Sequence, residues 1–400
     1  MKKPLPAFPP NPASYLAAFF RLEAASGIVL FAGAVLALAW ANSPGAAGYY
    51  QALKHAPLLP ALSGRLSAFS GFSVELMVND VLMALFFLMM GLEIRREMLH
   101  GELSTRRQAA LPVAGALGGM LFPALLFMAW NHGGPSAHAW GVPMATDIAF
   151  ALGVMTLLGN RVPPGLKVFL VALAIIDDLG AILVIALFYS GTLHAFWLAA
   201  AAVISAILFV AGRRGLSSPW AYLAGGIALW VAVFHSGLHA TLAGVILALC
   251  LPVSKLYRVE SALHPWVNYG ILPLFALLNA GIALTAGVGG ALLEPLGLGI
   301  STGLLIGKPL GILLFCVIAV RLGWAALPAR TGWTLLLGAG ILGGIGFTMS
   351  LFIAGLGLTP ETLDGAKLAI LAASCLAGVI GYTVLRAQSV TGTRAKKARA

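Results

Sequence analysis

The chain has 400 residues, of which 60% are hydrophobic and only 9% charged, with a net charge of +11 and a mean hydropathy of +0.96. Soluble domains carry about 25% charged residues, so a water-soluble globular fold is excluded and a polytopic helical membrane protein is the class that fits. The positive charge does not mark a nucleic-acid binder, because the basic residues lie in short loops and at the termini.

Residues 1–11 are polar and Pro-rich, and no cleavable leader is legible, since the first apolar run begins only near Ala25. Residues 15–23 read as an interfacial helix that closes an N-terminal tail of 1–24. Apolar runs then predict spans over 25–40, 73–91, 109–130, 140–158, 168–189, 195–211, 220–234, 238–251, 265–284, 298–320, 333–356 and 366–385. That is about twelve, judged against the roughly 20 residues that a bilayer crossing takes. The seventh and eighth are short for spanning. The predicted fold class is an all-α polytopic membrane protein with a single integral membrane domain over 1–400, a long external loop at 42–72 and a basic cytoplasmic tail at 387–400. Cys250, Cys316 and Cys375 lie inside apolar runs without disulfide or metal spacing and read as buried thiols.

Charge sorting tests this map. With the N-terminus inside, the inside loops hold Arg95, Arg96, Arg106, Arg107, Arg161, Lys167, Arg213, Arg214, Lys255, Arg258, Arg321 and Arg330, and most other basic residues lie at the two termini. Of the 24 Lys and Arg, only Lys54, Arg65 and Lys367 fall outside, and Lys308 falls within a span. Cytoplasmic loops concentrate Lys and Arg, and a wrong span count would scatter that bias. Both termini therefore read as cytoplasmic, with an even number of spans.

The same sorting isolates the acids. Asp80, Asp147, Asp177 and Asp178 fall within spans, and the last two are neighbours in an apolar run. One ionised carboxylate at the bilayer centre costs from a few to more than ten kcal/mol, so the pair needs partners, water or a task. Asp147, Asp177, Asp178 and Lys308 each sit about midway along their spans and so share one depth. A single Asp–Lys pair could merely fix helix packing; three carboxylates against one lysine leave an excess of negative charge that packing does not explain.

The spans near this depth are interrupted. The fourth contains Pro143 followed by Thr146 and Asp147, and proline removes a backbone donor and displaces the carbonyl four residues earlier. The eleventh contains Gly338, Gly340, Gly343, Gly344 and Gly346, which favours an unwound centre. In the tenth, Gly299, Gly303, Gly307 and Gly311 recur every fourth residue, which gives one face a close neighbour; the fifth span is the expected one. By the topology above, the segments 109–190 and 298–386 run in opposite directions with an interrupted span central in each. Paired interrupted segments in inverted repeats point to a transporter's binding site. Like helix ends facing each other there could be offset by Asp147 and Lys308.

These motifs resemble the NhaA-type sodium/proton antiporter family across nearly the whole chain. The resemblance is carried by Ala145-Thr146-Asp147-Ile148-Ala149-Phe150-Ala151, Ile175-Ile176-Asp177-Asp178-Leu179, Gly307-Lys308-Pro309-Leu310-Gly311 and Gly346-Phe347-Thr348-Met349-Ser350. It implies that Asp178 is the principal cation carboxylate, that Asp177 partners Lys308, and that Thr146 and Asp147 lie at a helix crossing. It implies that Asp80 lines the inner approach, that Glu93, Glu97, Glu260 and His264 form a cytoplasmic pH-response cluster, and that His239 belongs to the pH response as well. Where close relatives carry a histidine after the glutamate, this chain has Ser261. The resemblance also implies a homodimer formed through the external loop and a place in the bacterial inner membrane.

Na⁺ and Li⁺ are hard cations that want oxygen ligands, which Asp178, Asp177, the Thr146 hydroxyl and unwound carbonyls would supply. Protons compete for the same carboxylates, and that competition couples the two flows. No catalytic residue and no cofactor is expected. A sodium-coupled symporter of an organic solute would need a second polar cluster, and none is legible. An intramembrane aspartyl protease would need two facing aspartates; a lysine at their depth and two acids in one helix fit it poorly.

Overall fold

The computed structural model describes residues 23–58, 72–101, 103–216, 218–284 and 288–397. The N-terminal tail through residue 22, the middle of the external loop and the end of the basic tail lie outside the described residues, and so do the expectations placed on them. The described regular structure is helical apart from one antiparallel bridge between Pro57 and Ser73. In chain order the helices are α1 (Glu23–Ala41), α2 (Ala47–His55), α3 (Val74–His100), α4 (Arg106–Asn131), α5 (Ile148–Leu157), α6 (Pro164–Phe188), α7 (Ala195–Arg213) and α8 (Pro219–Ser236). There follow α9 (Leu242–Cys250), α10 (Val253–Asn279), α11 (Pro295–Arg321), α12 (Trp333–Gly343), α13 (Phe347–Gly357) and α14 (Pro360–Lys397).

Among the described residues, seven helices are long and apolar enough to cross a bilayer, or nine spans if the bent pairs α9/α10 and α12/α13 each count as one. The protein is thus an all-helical, membrane-spanning chain. The sequence-based figure of about twelve is larger for identifiable reasons. The apolar part of α1, Ala25–Ala41, is short, and α8 is diluted by Trp220, Tyr222, Trp230 and His235. The eighth predicted span shrinks to the nine residues of α9, because Gly237 ends α8 at φ +89° and a turn occupies 237–241. α10 then leaves α9 at 108°.

α4 and α11 approach each other backbone to backbone. A Cβ added at Gly118 would fall on the Gly311 carbonyl, and one at Gly311 on the Gly118 carbonyl. Gly307 sits 2.8 Å, measured from its missing Cβ, from the Pro123 Cα, and Gly299 is covered by Phe127 and Asn131. The glycine ladder of the tenth span therefore has the third span as its neighbour, not the fifth. Without a hydrophobic force between helices in lipid, such small-residue contacts are what bring backbones together. The segment between α1 and α3 is held as well: the Tyr50 hydroxyl on α2 lies 2.9 Å from the Leu277 and Leu278 carbonyls at the end of α10, and Lys54 pairs with Glu75 at 3.1 Å. Cys250 and Cys316 are buried as expected, whereas Cys375 is exposed, because its face of α14 is turned away from the bundle.

Gly118→Val should lower the melting temperature in detergent, since overpacking typically costs about 1–3 kcal/mol and here the clash is with backbone. Gly48→Ala, with nothing within 4 Å of its new methyl, should melt like the parent.

Candidate functional site

Both interrupted segments stop at the same place. The fourth predicted span is a 3-10 turn over Ala137–Met144, an extended link 145–147 and the helix α5. The eleventh is α12 and α13, bent by 44° around 344–346. The links cross, and each satisfies groups that the other's break has freed. The Asp147 amide donates to the Ile345 carbonyl at 2.7 Å, the Thr146 hydroxyl to the Gly343 carbonyl at 2.8 Å, and the Ser350 hydroxyl to the Val142 carbonyl at 2.7 Å. Such pairing is what non-helical backbone requires where no water reaches it.

The helix ends are matched by charge. Asp147 caps both helix starts at once: its Oδ1 accepts from the Phe150 amide at 2.9 Å on α5, and its Oδ2 from the Thr348 amide at 3.1 Å and the Thr348 hydroxyl at 2.5 Å on α13. Two helix N-termini, each carrying about half a positive charge, thus share one carboxylate. On the opposite side, the Lys308 ammonium donates to the Met144 carbonyl where the first segment ends. The same ammonium is ion-paired with Asp177 Oδ2, and Lys308 and Asp177 are both wholly buried. The Thr146 hydroxyl joins Asp177 Oδ2 at 2.6 Å.

Asp178 faces elsewhere. Neighbours on an α-helix are about 100° apart, so when Asp177 points to Lys308 its neighbour points to a cavity of about 460 Å³. That cavity is lined by Thr146, Asp147, Asp178 and Thr348 together with Glu93, His264 and Asn268. Asp178 is 2% exposed, and its Oδ1, like that of Asp177, is buried without a hydrogen-bond partner. Asp147, Asp178 and the side chains of Thr146 and Thr348 thus bring hard oxygen donors to the lining of one cavity.

A family model described as Na+/H+ antiporter 1 matches residues 17–385 of the chain. The chain belongs to the Na⁺/H⁺ antiporter family NhaA. Relatives named Na(+)/H(+) antiporter NhaA, from Escherichia coli O1:K1 / APEC, Escherichia coli (strain UTI89 / UPEC) and Shigella boydii serotype 4 (strain Sb227), are 49% identical over 382 residues, covering 93% of this chain and 98% of each relative.

In this NhaA-family chain the structure brings Thr146, Asp177 and Lys308 into direct contact, ties the neighbouring Asp147 to Thr348 and Phe150, and sets Asp178 on the cavity beside them. Glu93 and His264 line the same cavity. Arg96 ties the acids there: its Nη2 lies 3.1 Å from Glu97 and 3.8 Å from Glu93, and its Nε 3.0 Å from Glu260. Asp80 is not brought to the cavity. It lies in a π-turn near the start of α3, about 20 Å along the helix from Glu93, and its carbonyl accepts from the Trp230 indole at 3.3 Å. His239 is also remote. Its Nε2 lies 2.6 Å from the carbonyl of Tyr189, roughly 16 Å along α6 from Asp178, and burial holds its imidazole below the usual range. Thr348 and Ser350, although inside a motif that carries the family resemblance, had no role assigned from sequence; only the crossing shows that they serve the other segment.

Removing Lys308 would strand a buried carboxylate and a helix end together. Lys308→Ala should lower stability by about 3–5 kcal/mol, read as a fall in melting temperature, while Lys308→Arg keeps the charge and should recover much of the loss. A Lys308→Ala protein as stable as the parent would disprove the pairing.

Proposed function

We propose that this protein is a secondary antiporter that exchanges Na⁺ or Li⁺ for protons across the bacterial inner membrane. The observation that carries the reading is Asp178. It is a buried carboxylate with an unpartnered oxygen, set on a cavity beside Asp177 and the Thr146 hydroxyl at the crossing of two interrupted helices. Family membership supports the pair of ions.

In this reading the transported cation takes oxygens from Asp178, Asp177, Thr146 and the link carbonyls. Asp177 leaves Lys308 when the cation arrives and returns to it when the cation departs. Protons and cation compete for the same carboxylates, and their titration belongs to the pair. Exchange of two protons for one Na⁺ moves net charge, so transport is electrogenic.

The twelve-span topology belongs to the same reading, with α1, α8 and α9 counted as spans, both termini cytoplasmic, and 109–190 and 298–386 as inverted repeats. It puts Glu93, Glu97, Glu260 and His264 at the cytoplasmic mouth, where their charges answer to pH, and Asp80 in the outer half of its span, away from the inner approach. Ser261 stands exposed on α10 one residue from Glu260. A homodimer through the external loop completes the assembly.

The function is tested by ΔpH-driven Na⁺ uptake in proteoliposomes across a pH series. Absence of uptake at every pH refutes it. Asp178→Asn should insert and melt normally yet show no Na⁺ binding by calorimetry. For pH control, Ser261→His should shift the pH profile of exchange with little change in maximal rate. An unchanged profile removes this position from the response.

A further inference from the structure

The helix that carries Lys308 departs from regular α geometry just before it. Over Gly303–Gly307, α11 makes a π-turn, and the Lys308 amide donates to the Gly303 carbonyl five residues back. Single π-turns inside α-helices recur at functional positions. The cause is local. The next residue, Pro309, has no N–H, and its ring crowds the carbonyl four residues earlier. The amide four residues beyond Leu304 is therefore spent on Gly303, and the one five beyond does not exist. The Leu304 carbonyl instead lies against Gly344 in the second break, where an added Cβ would fall on it. On the other side of the turn, Gly303 rests on the first interrupted segment: a Cβ there would meet the Pro143 ring at 2.7 Å.

The π-turn thus touches both interrupted segments, each time at a glycine. Its geometry sets where the next side chain points. A π-turn holds one residue more than an α-turn, so relaxing Gly303–Gly307 to regular α-helix would swing Lys308 by about 100° relative to the start of α11. As it stands, the ammonium meets Asp177 and the Met144 carbonyl.

We propose that Gly303 and Gly344 are positioning residues that seat this π-turn on the two breaks and so set the rotation of Lys308 toward Asp177. The inference rests on the reading of Lys308 as part of the exchange site. A methyl at either glycine displaces the turn, and with it the ammonium, while touching no carboxylate.

A double-mutant cycle on the full-length protein tests this, with melting temperature and Na⁺ exchange in proteoliposomes as the two readouts. If Gly344 acts through Lys308, the losses of Gly344→Ala and Lys308→Ala do not add, and the double variant melts no lower than Lys308→Ala alone. Gly344→Ala also changes the Na⁺ KM at fixed pH by about threefold or more, the low end of couplings between contacting residues. Gly340→Ala is the control. It lies on α12 one turn before the break, its added methyl makes ordinary contacts from 3.5 Å, and it leaves the KM unchanged. Should Gly344→Ala fail to fold, Gly303→Ala runs the same cycle through Pro143. Additive losses, or a glycine variant with the parent KM, overturn the proposal. A parent protein that exchanges no Na⁺ is a separate result: it refutes the function itself, whereas an exchanging parent with additive variants refutes only the role of the glycines.

Discussion

Two helices that stop inside a low-dielectric slab and cross there impose the condition on which the rest of this structure depends. Each break frees backbone donors and acceptors that lipid cannot satisfy, and each puts like helix ends face to face. The hydrogen bonds from Asp147 to Ile345, from Thr146 to Gly343 and from Ser350 to Val142 answer the first problem. Asp147 and Lys308 answer the second, one serving two N-termini and the other a C-terminal carbonyl. Charge at mid-membrane is thus demanded by the backbone before any ion arrives.

That requirement makes the neighbouring carboxylates usable. Because adjacent residues on α6 point about 100° apart, Asp177 is drawn into the structural network by Lys308 and Thr146, while Asp178 is left to the cavity. One member of the pair is tethered and the other faces the cavity. The same ammonium that holds Asp177 also holds the Met144 carbonyl.

Close backbone packing supplies the rigidity around it. The mutual approach of Gly118 and Gly311 fixes α11 against α4, and from that position Lys308 crosses to α6 by the length of its side chain. Pro309 and the π-turn before it add a local irregularity at the residue whose aim matters most. The cavity takes Glu93 and His264 as well as Asp147 and Asp178 into its lining, and Arg96 ties Glu93 to Glu97 and Glu260 beside it.

Much of this was legible from residues alone. Hydropathy and charge sorting determined a helical membrane chain, the family motifs named its kin, and Pro143 and the glycines around 344 marked both breaks. The isolated depth of Asp147, Asp177, Asp178 and Lys308 marked the candidate site, because a buried charge is conspicuous wherever it lies along a chain, and all four are buried in the fold. What remained invisible depended on which faces of distant segments meet. Tertiary packing alone decided that the glycine ladder of the tenth span faces the third, that Thr348 and Ser350 serve the opposite segment, that Asp80 stands away from the cavity, and that Cys375 turns outward. Local pattern reports the cost of a residue in its environment, and that cost is set by composition within a turn or two. The partner that offsets it comes from more than a hundred residues away, and only the folded geometry selects it.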